Sequence, residues 1–187
     1  RLADSTQLNV WLGTVVMLVL LWSLQAGIKP GLSMHLLGAT LFTLAFGPYL
    51  AFIGLSLVLA GVSLNGAAGW NAYAANALLM GGVSVAVTQL LLRFNERFLP
   101  QQCFVYIFAN GFFGAALSIV AAGTCASLLL VVSGVYTIDY VLAEYLPYVH
   151  LLAFSEAWLS GMMVTLFVIY RPEWVSTFED SRYLRDK

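Results

Sequence analysis

From Cys103 to Val132 the chain carries no charged residue, and this stretch limits what the molecule can fold into. As a helix it would rise about 45 Å, more than the roughly 30 Å of a bilayer's hydrocarbon core. Further apolar stretches flank it on both sides. Only 9% of the 187 residues are charged and 61% are hydrophobic, whereas a soluble domain carries about 25% charged residues. Backbone amides in hydrocarbon must satisfy one another, which favours helices. The sequence therefore predicts an all-α integral membrane protein, a single transmembrane domain over 1–187. Six helices are expected, at roughly 8–26, 33–47, 49–65, 73–92, 103–132 and 146–170, with a short tail over 171–187. Gly47-Pro48 closes the short second span, and Asn110-Gly111 and Gly114 are expected to break or tilt the fifth.

The cations orient this arrangement. With six spans, one side collects Arg1, Arg93, Arg97, Arg171, Arg182, Arg185 and Lys187, and the other only Lys29. The positive-inside rule then makes both termini cytoplasmic. The formal net charge of −1 gives no reason to expect a nucleic-acid partner. Cys103 and Cys125 would stand about 33 Å apart on one helix, too far for a disulfide. The sequence holds no CxxC pair and no Walker, GxSxG, HExxH or GxGxxG pattern, so no enzyme activity and no cofactor is expected.

Glu156 is the only charged residue well inside an apolar stretch. A carboxylate there needs a partner or a water-filled pocket. His150 lies six residues before it, and His35 lies at the outer end of the second span beside Met34. Asn76 and Met80 lie in the first turns of the fourth span, on the same outer half. Imidazole, thioether and carboxylate together suit a late divalent metal such as Ni, Co or Cu. The alternatives are structural: Met34 and Met80 as packing residues, and Glu156 paired with backbone or with Ser155 or Ser160. Positions 150 and 156 are about 120° apart on a helix, so both cannot ligate one ion. That spacing predicts His150 as a ligand and Glu156 as a supporting or proton-coupled acid. The small residues Gly111, Gly114, Ala115, Ala116, Ala122 and Gly123 predict close helix contact, inside the molecule or with a partner. The tail RPEWVSTFEDSRYLRDK is expected to be solvated, interfacial or docked on another subunit.

Three segments in order carry a resemblance: SMHLLGATLFTLAFGPYLA (33–51), AANALLMGG (74–82), and His150 followed by Glu156 and Gly161. Over residues 27–170 the chain resembles the membrane permease of cobalt and nickel energy-coupling-factor transporters, the CbiM type. The resemblance implies a substrate-binding subunit for a divalent metal, working with a transmembrane coupling protein and two cytoplasmic ATPases. It implies metal contacts at His35 and His150, with Met34, Met80, Asn76 and Glu156 around them. The branch is divergent. Met-His occurs only at 34–35 rather than at an N-terminus. Leu79 stands where the family has asparagine, and His150 precedes Glu156 by six residues rather than seven. Two other classes remain open: a haem-binding electron-transfer subunit ligated by His35 and His150, and a structural accessory subunit of a larger membrane complex.

Overall fold

The computed structural model describes residues 5–24, 26–29 and 32–183. Helix α1 (Ser5–Ser23) leads to a small antiparallel hairpin of β1 (Ala26–Lys29) and β2 (Leu32–Met34), with Gly27 opposite Ser33. Then follow α2 (Ala39–Phe46), α3 (Pro48–Leu64), α4 (Trp70–Phe98), α5 (Cys103–Val132), α6 (Ile138–Glu144), α7 (Leu146–Tyr170) and the short α8 (Asp180–Tyr183). Helices α1, α4, α5 and α7 are long and apolar enough to cross a membrane, and α3, at 17 residues, is a shorter apolar helix. The molecule is an all-α membrane protein with one small hairpin.

The expected second span differs most. Residues 32–34 are extended, 35–38 are coil, and only Ala39–Phe46 is helical. Two glycines set these limits. Gly38 has φ +64°, a left-handed conformation that only glycine adopts without strain, and a Cβ there would stand 2.7 Å from Leu18 Cδ2. Gly47, with φ +83°, separates α2 from α3, and Pro48 opens the next helix. Seven of the eight α2 residues are buried, only Leu41 being less so. An eight-residue helix rises about 12 Å. It serves as a central pillar wrapped by the long helices, as an all-round apolar helix should.

The fifth span is not broken. Residues Tyr106–Phe113 form a π-helical stretch within one continuous helix, and Ala77–Val83 form another in α4. Such widened turns accommodate a residue that would otherwise disturb the ladder. In α5 the stretch lets buried Asn110 accept a hydrogen bond from Asn95 Nδ2 at 2.9 Å. The small residues of α5 pack internally. Gly111 lies against Val164 and Gly123 against Val149, both on α7.

The tail docks on the bundle over its described part, with Arg171, Glu173 and Glu179 left exposed. Ser176 N–H donates to the Ala45 carbonyl, and Thr177 Oγ1 donates to the Leu44 carbonyl. Arg182 bridges to Glu96 at 2.9 Å and donates to Gln101. Gln7 of α1 reaches the Glu173 carbonyl at the same end. The start of α1, the α2–α3 junction, the α4–α5 loop and the tail thus meet. Arg1, Arg185 and Lys187 lie outside the described residues. Cys103 and Cys125 are both free.

Candidate functional site

The buried acid organises the opposite end. Glu156 is 1% exposed. Its Oε2 accepts the Leu37 N–H at 2.9 Å and its Oε1 accepts the Gly38 N–H at 2.7 Å, with Ser160 Oγ at 3.5 Å. These are the amides that the coil before α2 leaves without a ladder partner. One carboxylate from α7 satisfies both, the sort of charge-assisted bonding that fixes a segment in place. The Leu37 carbonyl is held from the other side by Trp22 Nε1 at 3.0 Å. One peptide unit is thereby clamped between α7 and α1.

His35 precedes this clamped peptide by two residues. Its ring lies 4.6 Å from the Trp22 ring, tilted by 40°, and the imidazole is buried. Its Nδ1 lies 3.3 Å from the Leu36 carbonyl. His35 and Met80 line two adjoining cavities. The smaller, about 50 Å³, also takes Met34, Leu37, Tyr145 and Val149. The larger, about 400 Å³, takes Trp22, Asn76, Tyr145 and the loop residues Ala67–Gly69. Met80 is carried by the π-helical stretch of α4. Among the described residues no carboxylate or cation lines either cavity, and no three of His, Cys, Asp and Glu come together.

Five of the six expected site residues therefore converge: His35, Met34, Met80 and Asn76 on the cavity walls, and Glu156 behind the loop that carries His35. His150 does not join them. It is exposed, and its Nδ1–H donates to the Leu146 carbonyl one turn back on α7 at 2.7 Å. The reason is helical phase. A residue seven before Glu156 shares its face to within about 20°, and that residue is Val149, which is buried and lines the smaller cavity. A spacing of six turns His150 off that face.

Sequence reasoning missed Trp22 and Tyr145. Neither carries a positional signal, because an aromatic in an apolar helix reads as packing or as an interface residue. The Leu37 and Gly38 amides were legible in principle, since a glycine just ahead of a short apolar run marks a loop whose N–H groups need an acceptor.

Below this loop the hydroxyls of Thr40, Thr88 and Ser118 bond to one another at 2.9 and 3.0 Å, tying α2 to α4 and α5. The loop, α2 and the long helices are therefore one braced unit rather than a mobile lid over a pocket.

Comparison with known families gives one finding. The model described as CbiM, cobalt uptake substrate-specific transmembrane region, matches residues 2–174. No curated protein and no solved structure matches the chain.

Proposed function

Since this chain belongs to the cobalt uptake substrate-specific transmembrane family, we propose that it is the metal-binding permease subunit of an energy-coupling-factor transporter, taking cobalt or nickel as substrate. The observation that carries this reading is the presentation of His35. A buried imidazole on a loop pinned by Glu156 and braced by Trp22 lines two cavities whose walls also include methionine, Met80 in both and Met34 in the smaller. Preorganisation of this kind limits the ordering cost of binding, and imidazole with soft sulfur suits late first-row metals.

In this reading His35 is the ligand from the described residues, and Met80 and Met34 are candidate weak ligands. Asn76 supplies a polar group in the larger cavity. Glu156 acts on the metal through the Leu37–Gly38 backbone, holding the loop that carries His35. His150 is set aside as a ligand because it faces away from the cavities. Transport then requires a transmembrane coupling protein and cytoplasmic ATPases, in a bacterial inner membrane with the tail end of the bundle inside. The reading is of a transport component, not of an enzyme. A haem subunit would need two imidazoles facing one cavity, and the exposure of His150 argues against it.

The test is elemental analysis with a visible spectrum on detergent-purified protein, for the wild type, His35→Ala and His150→Ala. Expected are stoichiometric Co or Ni in the wild type and in His150→Ala, a loss in His35→Ala, and no Soret band. Iron with a Soret band, or equal metal in all three proteins, would sink the proposal.

A further inference from the structure

A second opening lies on the outside of the bundle, away from the His35 cavities. Helices α3 and α4 diverge there into a groove of about 540 Å³, walled by Phe52, Ile53, Val85, Ala86 and Leu90 and ending at Tyr49 and Arg93. Phe52, Ile53 and Leu90 are exposed, Leu90 at 65%.

Three observations bear on what fills it. The first is length. Along α4 the lining runs from Gly82 to Arg93, about 16 Å of helix axis. That is close to one leaflet of a hydrocarbon core about 30 Å thick, whereas a crossing helix would need a groove twice as long. The second is charge. Arg93 and Arg97, one turn apart, are exposed, and among the described residues neither makes an ion pair. The one carboxylate between them, Glu96, is taken by Arg182. The cationic end of the groove is therefore not neutralised from within. The third is polarity order. The groove is apolar along its length except for Gln89, and it turns aromatic, then cationic, at its mouth. Tyr49, 85% exposed at that mouth, is an interface-type residue.

We propose that this groove is a binding site for an anionic phospholipid, with an acyl chain lying between α3 and α4 and the phosphate at Arg93. Unpaired basic residues at the end of a transmembrane helix attract anionic headgroups, each contributing enough to favour them about fivefold. The site is independent of the metal reading. It needs only that the chain sits in a bilayer, and it shares no lining residue with the His35 cavities.

The experiment is native mass spectrometry on delipidated full-length chain, titrated with phosphatidylglycerol or with phosphatidylcholine of the same chains. The wild type should retain phosphatidylglycerol roughly fivefold better. Arg93→Gln should erase that preference while leaving weak binding of both lipids. Ala86→Phe, which fills the groove without touching charge, should weaken both alike, and it reads the groove alone if Arg93→Gln fails to fold by circular dichroism. Arg171→Gln is the control and should change nothing. Equal retention of the two lipids by the wild type overturns the proposal. So does an Arg171→Gln effect as large as that of Arg93→Gln, or a cross-link from Ile53→Cys to a protein in native membranes, which would assign the groove to a partner helix.

Discussion

At the end that carries His35, cavities of about 50 and 400 Å³ adjoin a buried imidazole whose Nδ1 meets the neighbouring Leu36 carbonyl at 3.3 Å. Around Tyr106, at the other end, the cavity beside the ring is about 10 Å³ and the buried side chains of Tyr106, Asn95 and Asn110 are paired. The Tyr106 hydroxyl donates to Thr177 Oγ1 at 2.6 Å, which in turn donates to the Leu44 carbonyl at 2.9 Å. Asn95 pairs with Asn110, and Arg182 with Glu96. Both ends use the same device, a polar side chain that satisfies backbone at an end of α2. At the His35 end Glu156 meets amides at the N-terminal side of α2, and at the other end Thr177 meets a carbonyl near its C-terminal side. The difference lies in what surrounds the device. At the first end the braced loop presents a side chain to open space, and at the second the tail fills that space. One end is built to admit something and the other to stay shut.

The comparison can be broken most directly at His35. His35→Ala should lower cobalt affinity more than about 100-fold, since loss of a supporting residue alone costs 10–100-fold, while helix content by circular dichroism stays unchanged. Retained affinity, read by isothermal titration, would remove the open end's purpose.

Glu156→Gln tests the clamp next. The amide can accept one of the two N–H groups, but its own NH₂ faces the other. A loss of about 3 kcal/mol in stability is expected from the orphaned amide, with a 10–100-fold fall in metal affinity. Thermal unfolding and metal titration of the same sample read both. A fall in stability with no fall in affinity would make Glu156 purely structural.

Thr177→Val probes the closed end. It leaves the Tyr106 hydroxyl and the Leu44 carbonyl buried without this partner, costing about 1–2 kcal/mol. Metal affinity should not move, and a matching drop in affinity would show that the two ends are coupled. His150→Ala should have the smallest effect, within about 0.5 kcal/mol in stability and under twofold in affinity, as for an exposed position away from any constellation. A large effect would return His150 to the site and contradict its outward orientation.

Much of this was legible beforehand. The membrane class followed from hydropathy, and Glu156 stood out because a charge in an apolar stretch needs a reason. The position of His35 beside a glycine-marked break was readable too, as was close helix contact along α5 from its small residues, though not that α7 makes it. What failed to read through was the second span, where composition gave a helix but geometry allowed only two turns. Hydropathy does not distinguish a helix facing lipid from one enclosed by other helices, and α2 is enclosed. The tail failed for the opposite reason. Its mixed charges look solvated, yet Ser176, Thr177 and Arg182 each have a specific partner across the bundle.

Apolar runs, cation placement and helical phase are local quantities. By themselves they determined that the chain enters a membrane, roughly where its long helices lie, and that positions 150 and 156 cannot face one point. Which face of α7 turns inward and which amides Glu156 would meet depend on residues more than a hundred positions apart, and that Trp22 would lie against His35 depends on how the chain between them folds back. No local pattern encodes such pairings. They were settled only when the helices packed and brought buried polar groups such as Glu156 to their partners.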